Sequence, residues 1–436
     1  MKSLIKKIIP KSVISLYHLC LAKVAAFWYG YPSRHLTVVG ITGTGGKSST
    51  VYLLAKLLEA TGKKVGVTST VFFKVGEWEK LNDKKMTMLG RFQTQKMLRR
   101  MVTAGCQVAI IETTSQGIEQ FRHVDIDYDI VVLTNLYPEH IEAHGGFENY
   151  KKAKGKLFAT LSKTYRKSFA PLKTIIVNSD DEHAEYFLTF PADKKVLFGL
   201  QPNSFAVDEQ IKAINPIASG ANISFKIEDQ DFSLSLMGEL NIHNSLCAIA
   251  IAKNLGLSWK EIKGAAGAMK NIPGRQEFIE EGQNFKVMVD YAFEPVAMAA
   301  LYETIKQIPH AKIIHVLGAT GGGRDVARRP KLGVIAGQNA QIVITTNEDP
   351  YDDDPVEIMN QVANGSISAG KKDGVDLFKI LDRREAIKKA VEIAQDNDLI
   401  LITGKGSEQA MCVKDGQKIP WDDREVAREE IKKVSK

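Results

Sequence analysis

From residue 36 onward, apolar β-branched runs alternate with stretches of helical periodicity. Leu36-Thr37-Val38-Val39-Gly40-Ile41 reads as a strand and Val51 to Leu58 as the helix that follows it. The alternation continues with strands at 65–68, 108–111, 130–133 and 174–177 and helices at 94–104 and 148–161. These strands are apolar throughout, so they predict βαβ units and a mainly parallel sheet buried on both faces. Strict alternation at 223–227 and 232–236 predicts a smaller antiparallel patch, followed by a helix over 241–255. Proline and glycine break the pattern at Asn271-Ile272-Pro273-Gly274-Arg275. A second α/β series then begins, with strands at 286–290, 312–318, 342–345 and 399–403.

The N-terminal segment has a different pattern. Val13, Leu16, Tyr17, Cys20, Leu21, Val24, Phe27, Trp28 and Tyr31 recur at helical spacing after Lys2, Lys6, Lys7 and Lys11. Lys23 interrupts the run and no cleavage site follows, which speaks against a signal peptide. Two readings remain: a helix packed on the body of the protein, or an interfacial helix whose basic flank meets anionic lipid. With 436 residues the chain suggests two or three domains, divided here as 1–35, 36–271 and 272–436. A net charge of +7 is modest and the basic residues are mixed with acidic ones, so no nucleic-acid partner is expected. The scattered cysteines (Cys20, Cys106, Cys247, Cys412) exclude a zinc ribbon and a disulfide framework, and fit a cytoplasmic location.

The chemistry begins at Gly43-Thr44-Gly45-Gly46-Lys47-Ser48-Ser49, placed between strand and helix. Glycines let a backbone approach phosphates, and a helix N-terminus offers free N–H groups. Lys47 is placed to reach terminal phosphates and Ser48 to hold Mg²⁺. The strict pattern for such loops is not met, since Ile41 stands where its first glycine belongs. The expected fold is therefore α/β: a P-loop NTPase-like, mainly parallel central sheet followed by a Rossmann-like C-terminal unit.

Polar clusters follow in turn, at strand ends in Glu112-Thr113-Thr114-Ser115-Gln116, Thr134-Asn135-Leu136-Tyr137-Pro138-Glu139-His140 and Asn178-Ser179-Asp180, and on the intervening helix in Lys151-Lys152-Ala153-Lys154. Further on come Asn241-Ile242-His243-Asn244, Pro273-Gly274-Arg275, Asp290-Tyr291-Ala292, Gly323-Arg324-Asp325, Asp382-Arg383-Arg384-Glu385, Gly404-Lys405-Gly406-Ser407-Glu408 and Asp423-Arg424-Glu425. In this order they resemble the Mur ligases, ATP-dependent amide-bond-forming enzymes of cell-wall peptide assembly, and most of all the branch that adds the third residue.

The resemblance implies an acyl phosphate made from ATP and an acceptor carboxylate, then attacked by the amine of an amino acid. It implies ATP held by Gly43 to Ser49, Asn178, Asn241, Asn244, Arg275 and Asp290. It implies two Mg²⁺ ions served by Ser48, Glu112, His140 and a carbamylated Lys154, with Lys47 on the phosphates. The incoming amino acid is expected near Arg324, Glu348, Asp349, Gly404 and Glu408, and the enzyme is expected to act as a monomer.

Several positions depart from that pattern. Gly45 stands for an asparagine and Glu139 for an aspartate, while Gln116, Phe293 and Ser407 stand for histidines. Glu348-Asp349-Pro350-Tyr351 replaces the Asp-Asn-Pro-Arg of the diaminopimelate-adding enzymes, so the bidentate arginine grip on a distal carboxylate is lost. Too few residues precede the first strand for the family's N-terminal sugar-binding domain, so a partner or an unusual acceptor is expected, with the N-terminal helix as a contact to membrane or partner. Two alternatives remain: a folyl- or poly-γ-glutamate-type ligase, and a nucleotide-binding scaffold.

Overall fold

Strand β1 (Thr37–Thr42) is buried at every position, which places it at the centre of a sheet. A computed structural model describes residues 10–139, 144–323 and 326–434. β1 runs parallel between β5 (Val108–Glu112) and β6 (Ile130–Leu133). On the β5 side follow β2 (Val65–Thr68) and an antiparallel edge of β3 (Phe72–Val75) and β4 (Trp78–Leu81). On the β6 side follow β7 (Thr174–Asn178), β8 (Lys194–Gly199) and β9 (Glu209–Lys212). The strand order is β4-β3-β2-β5-β1-β6-β7-β8-β9. The order in which strands are added switches sides at β1, so the loops after β1 and β6 open a crevice at the carboxyl edge.

Successive side chains of β1 enter different cores, as the strand period of two requires. Val39 and Ile41 join the core that holds α2 (Lys47–Ala60) and α5 (Glu239–Asn254). Val38 joins the core that holds α3 (Arg91–Thr103) and α4 (Phe147–Leu161). The predicted antiparallel patch is a three-stranded sheet, β10 (Ile214–Ser219), β11 (Asn222–Ile227) and β12 (Gln230–Leu234), whose Phe225 and Phe232 close the first core.

Ahead of β1, helix α1 (Lys11–Trp28) packs through Ala22, Ala25 and Ala26, while Val13, Leu16, Tyr17, Val24, Phe27 and Trp28 face outward. Periodicity located this helix correctly, but the small residues rather than the bulky ones form its inner face.

The second series forms a six-stranded sheet in the order β13-β14-β18-β15-β16-β17. Its strands are β13 (Glu277–Phe278), β14 (Lys286–Asp290), β15 (Ile313–Leu317), β16 (Ile342–Thr345), β17 (Leu377–Lys379) and β18 (Leu399–Thr403). Arg383, which opens helix α6 (Arg383–Ile393), fixes its functional edge. Its guanidinium makes a fully buried two-point pair with Asp423 (2.8 and 2.7 Å) and donates to the carbonyls of Thr403 (2.8 Å) and Asn347 (3.3 Å). Those carbonyls end the segments that carry Gly404 and Glu348. Replacing Arg383 by Met strands the Asp423 carboxylate, so R383M should lower the unfolding free energy by about 3–5 kcal/mol. Urea denaturation measures this, and a loss below about 1 kcal/mol would show that the pair does not hold the edge together.

Candidate functional site

The loop after β1 requires glycine by conformation and by space. Gly43 and Gly46 have φ of +153° and +75°. A Cβ at Gly43 would lie 1.9 Å from Thr134 Oγ1, and one at Gly46 would lie 2.4 Å from Asn244 Oδ1. The neighbouring strand end holds the loop in shape. Asn135 Oδ1 accepts the N–H groups of Thr44 (3.2 Å) and Gly45 (2.8 Å), and the Thr134 hydroxyl donates to the Gly45 carbonyl (2.7 Å).

Two lysines converge on this loop. Lys47 Nζ donates to the carbonyls of Gly43 (3.0 Å) and Thr44 (2.8 Å), and Lys154 Nζ, from α4, donates to the same Gly43 carbonyl (2.6 Å). Burial depresses the pKa of Lys47, while burial and then the nearby Lys47 push Lys154 well below its ordinary value. A lysine on a lysine-rich helix is ordinarily a surface group; this one is 1% exposed.

Beside them the Ser48 hydroxyl lies 2.9 and 3.0 Å from the two oxygens of Glu112. Thr70 adds its N–H at 2.7 Å and its hydroxyl at 3.0 Å, so the buried carboxylate is oriented from two sides. A hydroxyl beside a carboxylate is an all-oxygen donor set suited to Mg²⁺, which commonly takes one or two protein carboxylates and completes its shell with phosphate oxygens and water. Among the described residues no group of three or more His, Cys, Asp or Glu side chains converges on a metal position. His140 and Arg324 lie outside the described residues.

These groups open into a cavity of about 880 Å³ lined from both large sheets. On one flank Asn244 donates to Asn241 Oδ1 (3.0 Å), Asn241 to Gln276 Oε1 (3.2 Å) and Asn178 to the Thr134 carbonyl (2.9 Å). The Arg275 guanidinium stacks 4.1 Å from the Tyr291 ring. Asp290 accepts from the N–H groups of Gln276 (2.7 Å) and Ala292 (2.6 Å), yet burial raises its pKa against those bonds and Arg275.

On the opposite wall stand Glu348, Asp349, Gly404 and Glu408. Asp349 accepts from Lys405 Nζ (2.9 Å), the Cys412 N–H (2.7 Å) and Lys85 Nζ (2.6 Å). Burial works against its ionisation, but Lys405 and Lys85 hold its pKa down at about 2. Glu348 goes the other way: burial, then repulsion from Asp349, raises its pKa, and its Oε2 has no hydrogen-bond partner. Lys85 also pairs with Glu408, to which Lys405 donates at 3.0 Å. Lys85 comes from the loop between β4 and α3, so it ties one lobe to the other. Sequence reading missed it, as it missed Thr70 and Tyr137, whose hydroxyl donates across the cavity to Glu294 (2.7 Å). Of the positions that depart from histidine, Gln116 and Phe293 line the cavity, Phe293 under Arg328 at 5.2 Å, and Ser407 is buried.

Residues 41–252 match the Mur ligase middle domain, and residues 274–406 match the Mur ligase glutamate ligase domain. The chain is 33% identical over 431 residues to a UDP-N-acetylmuramyl-tripeptide synthetase of Roseiflexus, covering 96% of this chain and 83% of that one. It resembles a solved UDP-N-acetylmuramoyl-L-alanyl-D-glutamate–2,6-diaminopimelate ligase at 28% identity and a TM-score of 0.60, over 92% of this chain and 79% of the other. Folylpolyglutamate synthase of Mycobacterium tuberculosis shares the fold at a TM-score of 0.68 and 18% identity, over 88% and 92% of the two chains.

The depressed Lys154 makes a pH prediction. Between its folded pKa and the ordinary 10.5 the unfolded chain binds the extra proton, so this group's contribution to stability improves as pH rises. Relative to Lys154→Met, the wild-type protein should therefore gain up to about 1.4 kcal/mol per pH unit inside that window. Thermal melts in CO₂-free buffers from neutral to alkaline pH test this; a difference that does not change with pH would overturn it.

Proposed function

Since the chain belongs to the Mur ligase family, ATP-dependent enzymes that form amide bonds, we propose that this cavity phosphorylates a peptide-like acceptor carboxylate and joins it to an amino acid without a second carboxylate. The observation that carries the reading is the convergence of Lys47 and Lys154 on the Gly43 carbonyl, beside Ser48 and Glu112 and facing Asp349 and Glu408. We read 36–271 as the ATP-binding part, 272–436 as the part that closes over it, and the enzyme as a cytoplasmic monomer.

In this reading the loop N–H groups and Lys47 hold the terminal phosphates of ATP. Asn178, Asn241 and Asn244 face the base side, and Arg275 and Asp290 meet phosphate and ribose. Ser48 and Glu112 would hold one Mg²⁺ and His140 would help hold a second, and these ions would supply neutralisation of the phosphate charge. The acceptor oxygen takes the γ-phosphoryl group and ADP leaves. The amine then attacks the acyl carbon, and the tetrahedral intermediate expels phosphate. No enzyme nucleophile is needed; positioning and charge neutralisation do the work. Lys154 suits carbamylation, since burial favours its neutral amine, which can add CO₂ and release a proton to become an anionic oxygen ligand. The amino acid would lie near Glu348, Asp349, Gly404 and Glu408, with Arg324 assigned to it by the family pattern alone. Tyr351 lacks the charge to grip a distal carboxylate, so lysine or a neutral amino acid suits this wall better than diaminopimelate.

A coupled ADP-release assay with mass detection of product, across panels of acceptors and amino acids, tests the reading. Amide formation should exceed that with diaminopimelate by tenfold or more in kcat/KM, about 1.4 kcal/mol. Tight ATP binding with no amide product would overturn the reading in favour of a scaffold. Lys154→Ala should lose about 10²-fold or more and recover partly with formate or acetate, whereas full activity would sink the carbamate assignment.

A further inference from the structure

Helix α1 turns the usual distribution of side chains around. Ala22, Ala25 and Ala26 are buried, whereas Leu16 is 61% exposed, Tyr17 59%, Phe27 73% and Trp28 75%. With Val13 and Val24 these side chains form one outward stripe on a helix of 18 residues, about 27 Å long. Among the described residues no helix is long and apolar enough to cross a membrane. The stripe is anchored rather than frayed: Arg99 of α3 donates to the carbonyls of Tyr29 (2.9 Å) and Gly30 (3.1 Å), just past the helix end.

The charge carried by α1 and α3 themselves has a single sign. The first acidic residue of the sequence is Glu59, and neither α1 nor α3 contains an Asp or Glu. Lys23 of α1 and Lys96 and Arg100 of α3 are exposed, with Phe92 beside them at 39% exposure. Beyond the helix end the Arg34 guanidinium, paired with Asp127 at 3.3 Å, lies 4.2 Å from the Tyr31 ring and 4.9 Å from the Tyr165 ring. The surface thus continues onto a second exposed apolar group of Tyr165, Phe169 and Leu172.

That charge decides between occupants. A second copy docked through the same stripe would set basic rim against basic rim. An anionic bilayer would neutralise the rim and take the stripe into its acyl boundary, with Trp28 and Tyr17 at headgroup level. We propose that α1 docks the protein on an anionic phospholipid surface, with the helix lying in the plane of the interface. The proposal stands apart from the ligase reading, because none of these residues touches the cavity.

The test is co-sedimentation of the full chain with phosphatidylglycerol–phosphatidylcholine vesicles and with pure phosphatidylcholine vesicles, at low and high salt. Binding should require phosphatidylglycerol and weaken with salt. Phe27→Ser with Trp28→Ser should weaken it by tenfold or more, and Lys23→Glu with Lys96→Glu should weaken it too. Both double variants should keep the wild-type circular dichroism and ATP hydrolysis, since all four positions are exposed and remote from the cavity. Equal binding to the two vesicle types, or unchanged binding by the Phe27/Trp28 variant, would overturn the proposal. So would a concentration-dependent dimer, seen by light scattering, that the same variant abolishes, since that result assigns the stripe to a second copy.

Discussion

Two buried lysines sharing the Gly43 carbonyl are the constraint around which the nucleotide side of this molecule is arranged. One carbonyl oxygen cannot neutralise two ammonium groups, and burial makes each more costly. Lys154 answers by giving up its proton readily, and Lys47 leans on a second carbonyl. The loop must then be rigid enough to keep them together, and Asn135 and Thr134 supply that rigidity from the adjacent strand end. The carboxylates of Glu112, Glu294 and Glu139 relieve part of this cost at Lys47, and a bound anion would relieve more.

The far wall solves the opposite problem. Asp349 and Glu408 are carboxylates near one another, and Lys405 and Lys85 each pair with both. Glu348 has no such partner and is driven toward its neutral form. The two adjacent carboxyls are thus pushed in opposite directions, Asp349 toward ionisation and Glu348 toward protonation. This difference arises from which cations reach which oxygen, and hence from the positions of the loops after β16 and β18 that Arg383 pins together.

Long apolar runs made the fold legible. The strands at 65–68, 130–133, 286–290, 342–345 and 399–403 lie where the hydrophobic pattern put them, because a strand buried on both faces has no alternative environment. The β3–β4 hairpin and edge strands such as β9 were not legible. Trp78-Glu79-Lys80-Leu81 is largely exposed, so its composition carries no pattern of burial. Around the glycine loop Lys47, Ser48, Glu112 and Lys154 are brought together from three separate motifs, whereas Lys85 has no local signal. Its partners are 264 and 323 residues away along the chain, and only the approach of the two lobes gives it a role. For α1 the period identified a helix but not its inner face, because alanines pack closely where larger residues would hold the helices apart.

The way the lobes meet bears on how such a site can work at all. The apolar cores stay within their own sheets, apart from Met237, which joins the C-terminal core beside α5. Across the cavity the contacts are polar: Lys85 with Asp349, Tyr137 with Glu294, Arg328 with Glu139, and Asn241 with Gln276. Polar pairs can exchange partners with water at small net cost, whereas a shared apolar core would resist opening. An enzyme that must admit ATP, a carboxylate and an amine, then exclude water from an acyl phosphate, needs a junction of this first kind. With Lys47 and Lys154 on one lobe and the carboxylate wall on the other, the cavity is completed only where the two lobes meet.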